Sequence, residues 1–99
     1  MTGPMTKLTT CDANGREVHV GDRIRVLSID MEALHFLSKR EYNDIKSMID
    51  DVFEVEEIGP SGTAKITKWF NRGRGRTETH TITLLPLQFQ LLLVRSPGA

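Results

Sequence analysis

The sequence contains one cysteine, and this scarcity narrows the chemistry that the chain can support. Cys11 has no second cysteine with which to form an internal disulfide, and zinc sites built on paired cysteines are excluded as well. Residues 1–10 have no apolar run of the kind that a secretory signal peptide carries. These features lead us to expect a protein of the reducing cytoplasm.

An excess of charge of either sign is also missing. The chain has 13 Lys and Arg residues against 13 Asp and Glu residues, so its formal net charge is zero. The whole protein therefore has no field that would attract nucleic acid or an anionic membrane. No stretch approaches the roughly 20 consecutive apolar residues of a membrane-spanning helix, which predicts no membrane partner.

The length of 99 residues fits a single domain. The start of the chain is small and polar and contains Gly3 and Pro4, so we predict a disordered tail over residues 1–11. The ordered domain is predicted over residues 12–94, beginning near the turn signal Asn14-Gly15. A flexible tail is predicted over residues 95–99.

Hydrophobic alternation predicts a mostly β protein. After the turn Gly21-Asp22, charged and β-branched residues alternate over residues 23–27, which is typical of a half-buried strand. The same period of two recurs in four later segments, and the first of them loses phase at Glu57, which suggests a bulge. These later strands are predicted at 52–58, 64–70, 77–84 and 87–91. Five short strands around a small apolar interior usually close into a barrel, because closure removes exposed edges.

One segment has helical periodicity instead. Ser38 and Glu41 have the spacing of a capping box, in which each side chain bonds a backbone amide of the first helical turn. Apolar residues follow at helical spacing, beginning with Tyr42 and Ile45. We predict one helix over about residues 39–50, inserted into the barrel. The segment 71–76 contains two glycines and is predicted as an irregular loop.

The segment from Asp12 to Val26, with its Gly21-Asp22 turn and apolar-x-apolar strand, resembles the opening strand of SH3-like β-barrels of the KOW type. The order of the later elements is similar to that of small bacterial SH3-like proteins of uncharacterised function. In these proteins a helix lies in the first long loop, followed by a strand like 52–58 and a closing strand like 87–94. KOW segments continue with a glycine where this chain has Ser28 to Met31, so ribosome or RNA-polymerase binding is not implied. The resemblance implies an SH3-like barrel, a fold that serves many functions.

The most distinctive feature is a basic segment over residues 65–76. It places five positive charges within twelve residues, and they belong to Lys65, Lys68, Arg72, Arg74 and Arg76. Arginines on a flexible glycine loop can hold phosphates, and the neighbouring Trp69 can stack on an unpaired base. The alternative is a solvated hairpin tip, because a net-neutral domain lacks the broad positive field of most nucleic-acid-binding proteins.

Trp69 itself has two possible positions. Strict alternation places it opposite Ile66 and puts Lys68 on the inner face, where an unpaired lysine is costly. A bulge near Thr67-Lys68 would instead turn Trp69 into the core. We expect the buried position, because a small barrel with few aromatic residues needs them inside. An exposed Trp69 would suit recognition of a proline-rich peptide.

Few residues offer catalytic or metal-binding chemistry. The acidic residues near Glu54 and Glu57 are predicted to be a solvated face that pairs across the hairpin with Lys65 or Lys68. The three histidines and Cys11 lack the spacing of a ligand set. A partly buried, hydrogen-bonded side chain is expected for His80. The sequence thus predicts no enzyme activity, no cofactor and no metal.

Apolar residues near the end of the chain exceed what alternation requires. They are Leu84, Leu85, Leu87, Leu91, Leu92, Leu93 and Val94. Either the helix covers them or they form an interface with another chain, so we predict a monomer or a weak homodimer.

Together these features predict a small non-catalytic interaction module that binds a protein partner. The predicted binding surface combines the loop 70–76 with the first long loop, residues 28–38. The residues assigned to it are Lys65, Lys68, Trp69, Arg72, Arg74 and Arg76. The alternative function is binding of single-stranded nucleic acid through residues 65–76, which predicts an affinity that falls steeply with salt.

Overall fold

The computed structural model describes residues 8–92, and in this range the protein is mostly β, as predicted. It has eight strands and one α-helix. The strands are β1 (Thr10–Cys11), β2 (Glu17–Val18), β3 (Arg23–Val26), β4 (Val52–Glu54), β5 (Glu57–Ile58), β6 (Ala64–Gly73), β7 (Arg76–Leu84) and β8 (Phe89–Leu91). The helix α1 spans Lys39–Lys46, and short 3₁₀ helices cover Met31–Leu34 and Pro86–Gln88.

The strands form three small antiparallel sheets, with the orders β1-β2, β4-β3-β8 and β5-β6-β7. Among residues 8–92 these sheets do not close into the single five-stranded barrel that alternation predicts. The predicted strand 52–58 divides into β4 and β5 because Val55 and Glu56 leave the ladder. The Val55 amide donates to the Asp22 carbonyl at 2.9 Å, and the Glu56 amide donates to the Lys65 carbonyl at 2.9 Å. This stretch therefore carries the chain from one sheet to another.

One hydrophobic core is shared by all three sheets. Its buried members are Val18, Ile24, Val26, Met48, Val55, Ile58, Ala64, Ile66, Leu84, Phe89 and Leu91. In β3 and β8, buried and more exposed residues alternate as the sequence predicts. The predicted strand 87–91 is too long at its start, because Pro86–Gln88 forms a 3₁₀ helix and leaves Leu87 78% exposed.

Helix α1 begins where the capping box predicts and ends earlier than predicted. The Ser38 hydroxyl accepts a hydrogen bond from the Glu41 amide at 3.2 Å. The helix stops at Lys46 instead of continuing to residue 50. Asp50 adopts a left-handed conformation, with φ of 70°, and its amide donates to the Val26 carbonyl at 2.7 Å. Pairing with β3 therefore takes the place of a further helical turn.

The predicted irregular loop over residues 71–76 is wrong. Strand β6 continues to Gly73, β7 begins at Arg76, and these two residues pair across the hairpin. Arg74 and Gly75 form the connection, with φ values of 52° and 73°. A two-residue turn with both φ angles positive matches the twist of the flanking strands, so the glycines extend the hairpin rather than interrupt it.

The first strand begins inside the segment that was predicted as an N-terminal tail. Thr10 and Cys11, the last residues of the predicted N-terminal tail, form β1 and pair with Val18 and Glu17. Residues 1–7 of that tail lie outside the described residues, as do the predicted tail 95–99, Leu93 and Val94. No helix in residues 8–92 is long and apolar enough to cross a membrane.

Candidate interaction site on the β6–β7 hairpin

Trp69 lies on the surface, and the prediction that it packs in the core is wrong. Its side chain is 70% exposed. The β6–β7 register is regular from Ala64 to Asn71, so there is no bulge near Thr67-Lys68; the irregularity falls between Asn71 and Gly73. Regular alternation therefore directs Trp69 away from the face that carries Ile66.

Lys68 shares the face of Ile66, and polar partners make this position tolerable. Its Nζ lies 3.2 Å from Asp51 Oδ2 and 3.2 Å from Ser47 Oγ, both just beyond the end of α1. It also lies 5.1 Å from the centroid of the Phe70 ring, a favourable cation–π arrangement. The cost of an inward lysine was the reason for predicting a bulge from the sequence. Contacts with a segment distant along the chain offset that cost.

The charges of the basic segment are largely paired within the molecule. The pairs that join it to acidic residues include Lys65–Glu57 (3.5 Å), Lys68–Asp51 (3.2 Å) and Arg72–Glu78 (2.6 Å). The predicted pairing of the acidic face with Lys65 is therefore confirmed. Arg74 and Arg76, at the turn, form no ion pair with any residue in the range 8–92.

A charged cluster fastens helix α1 to the hairpin. The Asp44 carboxylate accepts a hydrogen bond from Arg72 and lies 3.2 Å from His80 Nε2. Glu78 accepts from Arg72 at 2.6 Å and from Arg40 at 2.9 Å. The His80 side chain is 19% exposed, so the expectation of a partly buried, hydrogen-bonded histidine is confirmed. We call Arg40, Asp44, Arg72, Glu78 and His80 the anchor cluster.

The anchor cluster also shifts the ionisation of two of its members. The hydrogen bond from Arg72 lowers the pKa of Glu78 below its ordinary value, and the nearby charge of Arg40 adds to this effect. The hydrogen bond to Glu78 and the charge of Asp44 raise the pKa of Arg72. Both groups therefore stay charged at neutral pH, and the link between α1 and the hairpin remains ionic.

Replacing Asp44 with alanine is expected to loosen α1 from the hairpin. Amide hydrogen exchange over residues 42–47 should accelerate by about ten-fold, because local opening no longer has to break the contacts to Arg72 and His80. Alanine has the higher intrinsic helix propensity, so propensity alone would slow the exchange. Asn43→Ala, on the exposed side of the same helix, is the matched control. Equal exchange in both variants would show that the anchor cluster does not hold the helix.

The side of the hairpin that carries Trp69, which we call the outer face, has Lys65 as its charged residue in β6 and only threonines in β7. A hydrogen bond across the face joins Thr67 Oγ1 and Thr81 Oγ1 at 2.8 Å, and Thr67 Oγ1 also donates to Glu56 Oε1 at 3.1 Å. The full set is Lys65, Thr67, Trp69, Asn71, Thr77, Thr79, Thr81 and Thr83. Trp69 is therefore a large, exposed apolar side chain with polar neighbours on a regular pair of strands.

The first long loop lies beside β7 but away from the turn. Ile29 and Leu34 line a groove with Thr81, Ile82 and their neighbours, toward the end of β7 opposite to Arg74 and Arg76. Ser38, the last residue of this loop, lies nearer to the basic segment, because it lines a groove with Glu78, the partner of Arg72.

Two adjacent grooves follow β7, and sequence reasoning missed them. One has a volume of about 440 Å³ and lies between α1 and Glu78 to His80. The other has a volume of about 420 Å³ and lies between the 3₁₀ helix Met31–Leu34 and Thr81 to Leu85. No local signal in the sequence marks these grooves, because they form only where the segment 29–44 comes to lie beside β7.

Within residues 8–92, no three His, Cys, Asp or Glu side chains converge in a way that could hold a metal ion. Comparison with protein-family models, with curated proteins and with solved structures finds no match to this chain. The functional argument therefore rests on the geometry of the hairpin.

Proposed function

We propose that the protein is a small non-catalytic module that binds a protein partner through the outer face of the β6–β7 hairpin. The observation that carries this proposal is the position of Trp69, the only tryptophan of the chain, which is 70% exposed on a regular strand. Tryptophan is the residue type most enriched among binding hot spots. Its two side-chain torsions make it a large contact at a small entropic cost.

The surroundings of Trp69 favour a protein partner over a nucleic acid. Three of the five positive charges in the basic segment are paired with acidic residues of the same chain. The threonines around Trp69 supply hydroxyl groups without charge, as in the polar surroundings of an apolar anchor in a protein interface. Strands of ten and nine residues hold this face in place.

The proposal extends to the ancestry and setting of the module. We propose that the chain is related to SH3-like barrels, since the stretch 52–58 passes between two sheets that cover one core. In this proposal the module works in the cytoplasm, where the exposed thiol of Cys11 stays reduced, as a monomer or weak homodimer.

The expected effect of Trp69→Ala is loss of the partner. The wild-type chain and the variant are each coupled to a resin, cross-linked in a cell lysate, and the retained proteins are identified by mass spectrometry. Proteins bound through Trp69 should be retained by the wild type and by the control variant Val20→Ala, but depleted by about ten-fold or more on Trp69→Ala. Val20 is an exposed apolar residue outside the outer face and outside both grooves, and Trp69 is exposed as well, so neither change removes a core side chain. Identical sets of proteins from all three chains would contradict the proposal.

A second candidate function is binding of single-stranded nucleic acid. It is favoured by Arg74 and Arg76, because neither forms an ion pair in the described chain. Trp69 fluorescence reports directly on it, through titration with short oligonucleotides at several salt concentrations. Two phosphate contacts give a slope of log affinity against log salt of about −1.4, whereas five free cations would give about −3.5. Quenching with the smaller slope, abolished in the Arg74→Ala/Arg76→Ala double variant, would establish this candidate. Unchanged Trp69 emission would contradict this candidate and leave the protein partner as the proposed ligand.

A further inference from the structure

Strand β7 has an open edge. It lies last in the sheet order β5-β6-β7 and pairs only with β6 in the described chain. No other backbone group in residues 8–92 bonds to the main chain of residues 76–84. In an antiparallel pair, alternate residues direct their N–H and C=O groups toward the partner strand, and the others direct them away. About half of the peptide groups of this nine-residue strand therefore point to the open edge.

Three of the devices that protect a strand edge are missing from β7, which contains no proline, no lysine and no bulge, since the hairpin bulge lies in β6. Its acidic side chain, Glu78, is engaged by Arg40 and Arg72. Four threonines and one isoleucine give the strand a high β propensity. An edge of this kind is a template for a further strand.

The two grooves beside β7 follow this edge. Every residue from Glu78 to Leu85 lines one groove or the other. Because successive residues of a strand point to opposite faces, a surface lined by all of them runs along the edge and not along one face. The opposite wall is formed by residues of the segment 29–44. We call this combined feature the edge groove, and its eight β7-side residues span about 26 Å.

We propose that the edge groove binds an extended segment of a protein partner, which adds to the sheet as a strand beside β7. This inference rests on the proposed function, because it takes the partner to be a protein, and it identifies the form in which that partner binds. Main-chain hydrogen bonds to the open edge supply affinity, and the two grooves receive alternate side chains. The length of the groove accommodates roughly six to eight extended residues.

The charges and apolar groups along the groove define the chemistry of this segment. The groove walls carry the acidic residues Asp30, Glu41, Asp44 and Glu78 and one basic residue, Arg40. Arg72 pairs with Asp44 and Glu78 from outside the groove, and acidic residues are still in excess when its charge is counted. The other end of the groove has the apolar side chains of Ile29, Leu34 and Ile82. The bound segment is therefore expected to carry Lys or Arg near Glu41, which forms no ion pair in residues 8–92, and an apolar side chain near Ile82.

A random-peptide display library panned against the full chain tests this proposal. The recovered peptides should alternate apolar and polar residues and include Lys or Arg. Their affinity should fall by about ten-fold or more for Ala33→Arg, since the new side chain fills the apolar groove. The matched control is Glu32→Arg, which makes a larger change of charge on the adjacent exposed residue outside the groove. It should leave the affinity unchanged or lower it slightly.

Hydrogen exchange on the wild-type chain provides a readout that needs no variant. With a recovered peptide bound, alternate amides in residues 77–84 should gain protection, because only those facing the edge acquire a partner. Peptides that lose affinity on Trp69→Ala but not on Ala33→Arg, and that leave these amides unchanged, would overturn the edge proposal while the proposed function stands. Failure to recover any peptide above background would also overturn it, and the cross-linking experiment would then decide the proposed function separately.

Two further outcomes would assign the edge to another occupant and overturn the proposal. Protection of these amides that rises with protein concentration, without peptide, would mean that a second copy of the chain pairs with β7. Protection already present in the dilute chain, and lost when residues 93–99 are removed, would mean that this chain covers its own edge.

Discussion

Replacing Phe89 with alanine is expected to lower the free energy of unfolding by about 4 kcal/mol. The ring is fully buried and is the largest of the completely buried side chains. It lies in the core that all three sheets share, at the start of β8, opposite Val26 of β3. Alanine removes most of the side chain and leaves a cavity that a core bounded by several sheets cannot close without cost.

Urea unfolding followed by circular dichroism measures this loss. Leu87→Ala is the matched control, because Leu87 is a large apolar residue two positions before Phe89 but is 78% exposed. Its effect should be about 0.5 kcal/mol or less. Phe89→Leu, which retains most of the volume, should cost about 1.5 kcal/mol. Similar losses for Phe89→Ala and Leu87→Ala would show that the core is not organised around this ring.

Replacing Asp12 with alanine is expected to cost about 3 kcal/mol, because its carboxylate satisfies three backbone amides. The residue is 3% exposed. Oδ1 accepts from the amides of Asn14 and Arg16 at 2.9 Å and 2.8 Å, and Oδ2 accepts from the amide of Leu91 at 2.7 Å. The last bond joins residues 79 positions apart and fixes the final strand to the first turn. Alanine leaves these donors without their acceptor.

Asp22→Ala is the control for this change. Asp22 forms a similar local turn, accepting from the His19 amide at 2.8 Å, but its side chain is 36% exposed. Water can replace that bond, so the expected loss is about 1 kcal/mol or less. A loss for Asp12→Ala as small as that for Asp22→Ala would show that the long-range bond to Leu91 adds little to stability.

The same carboxylate makes stability depend on acid. Burial raises the pKa of Asp12, but the hydrogen bonds from the amides of Leu91, Arg16 and Asn14 together lower it by more. The pKa of Asp12 therefore lies below its ordinary value of 3.8. A group with a depressed folded pKa contributes stability above its unfolded pKa and loses it as the pH falls through the folded value. The wild type should therefore lose stability below pH 3.8 more steeply than Asp12→Asn. Parallel curves would contradict this assignment.

Local features of the sequence were enough to predict the short-range structure. The Ser38–Glu41 spacing predicted the start of α1, and the alternation over residues 23–27 predicted β3. Asn14-Gly15 and Gly21-Asp22 predicted turns that contain glycines with positive φ. Each of these signals acts over a few residues, so no knowledge of distant segments is needed to interpret it.

Predictions that depended on distant partners failed or could not be made. Burial of Trp69 was inferred from the cost of an inward Lys68, but Asp51 and Ser47 meet that cost from beyond the end of α1. The candidate site was predicted as a basic surface, yet folding brings acidic residues to most of its cations. The edge groove was not predicted, because it exists only where the segment 29–44 comes to lie beside β7.

The sequence by itself determined the mostly β class, the position where the helix begins and the turns at Asn14-Gly15 and Gly21-Asp22, because these follow from periodicity and local hydrogen bonding. Only the tertiary structure decided which charges are paired, which aromatic residues are exposed and which strand edge stays open. Those properties depend on contacts between residues far apart in the chain, such as Asp12 with Leu91 and Arg72 with Asp44. The proposed interaction surfaces belong to this second group.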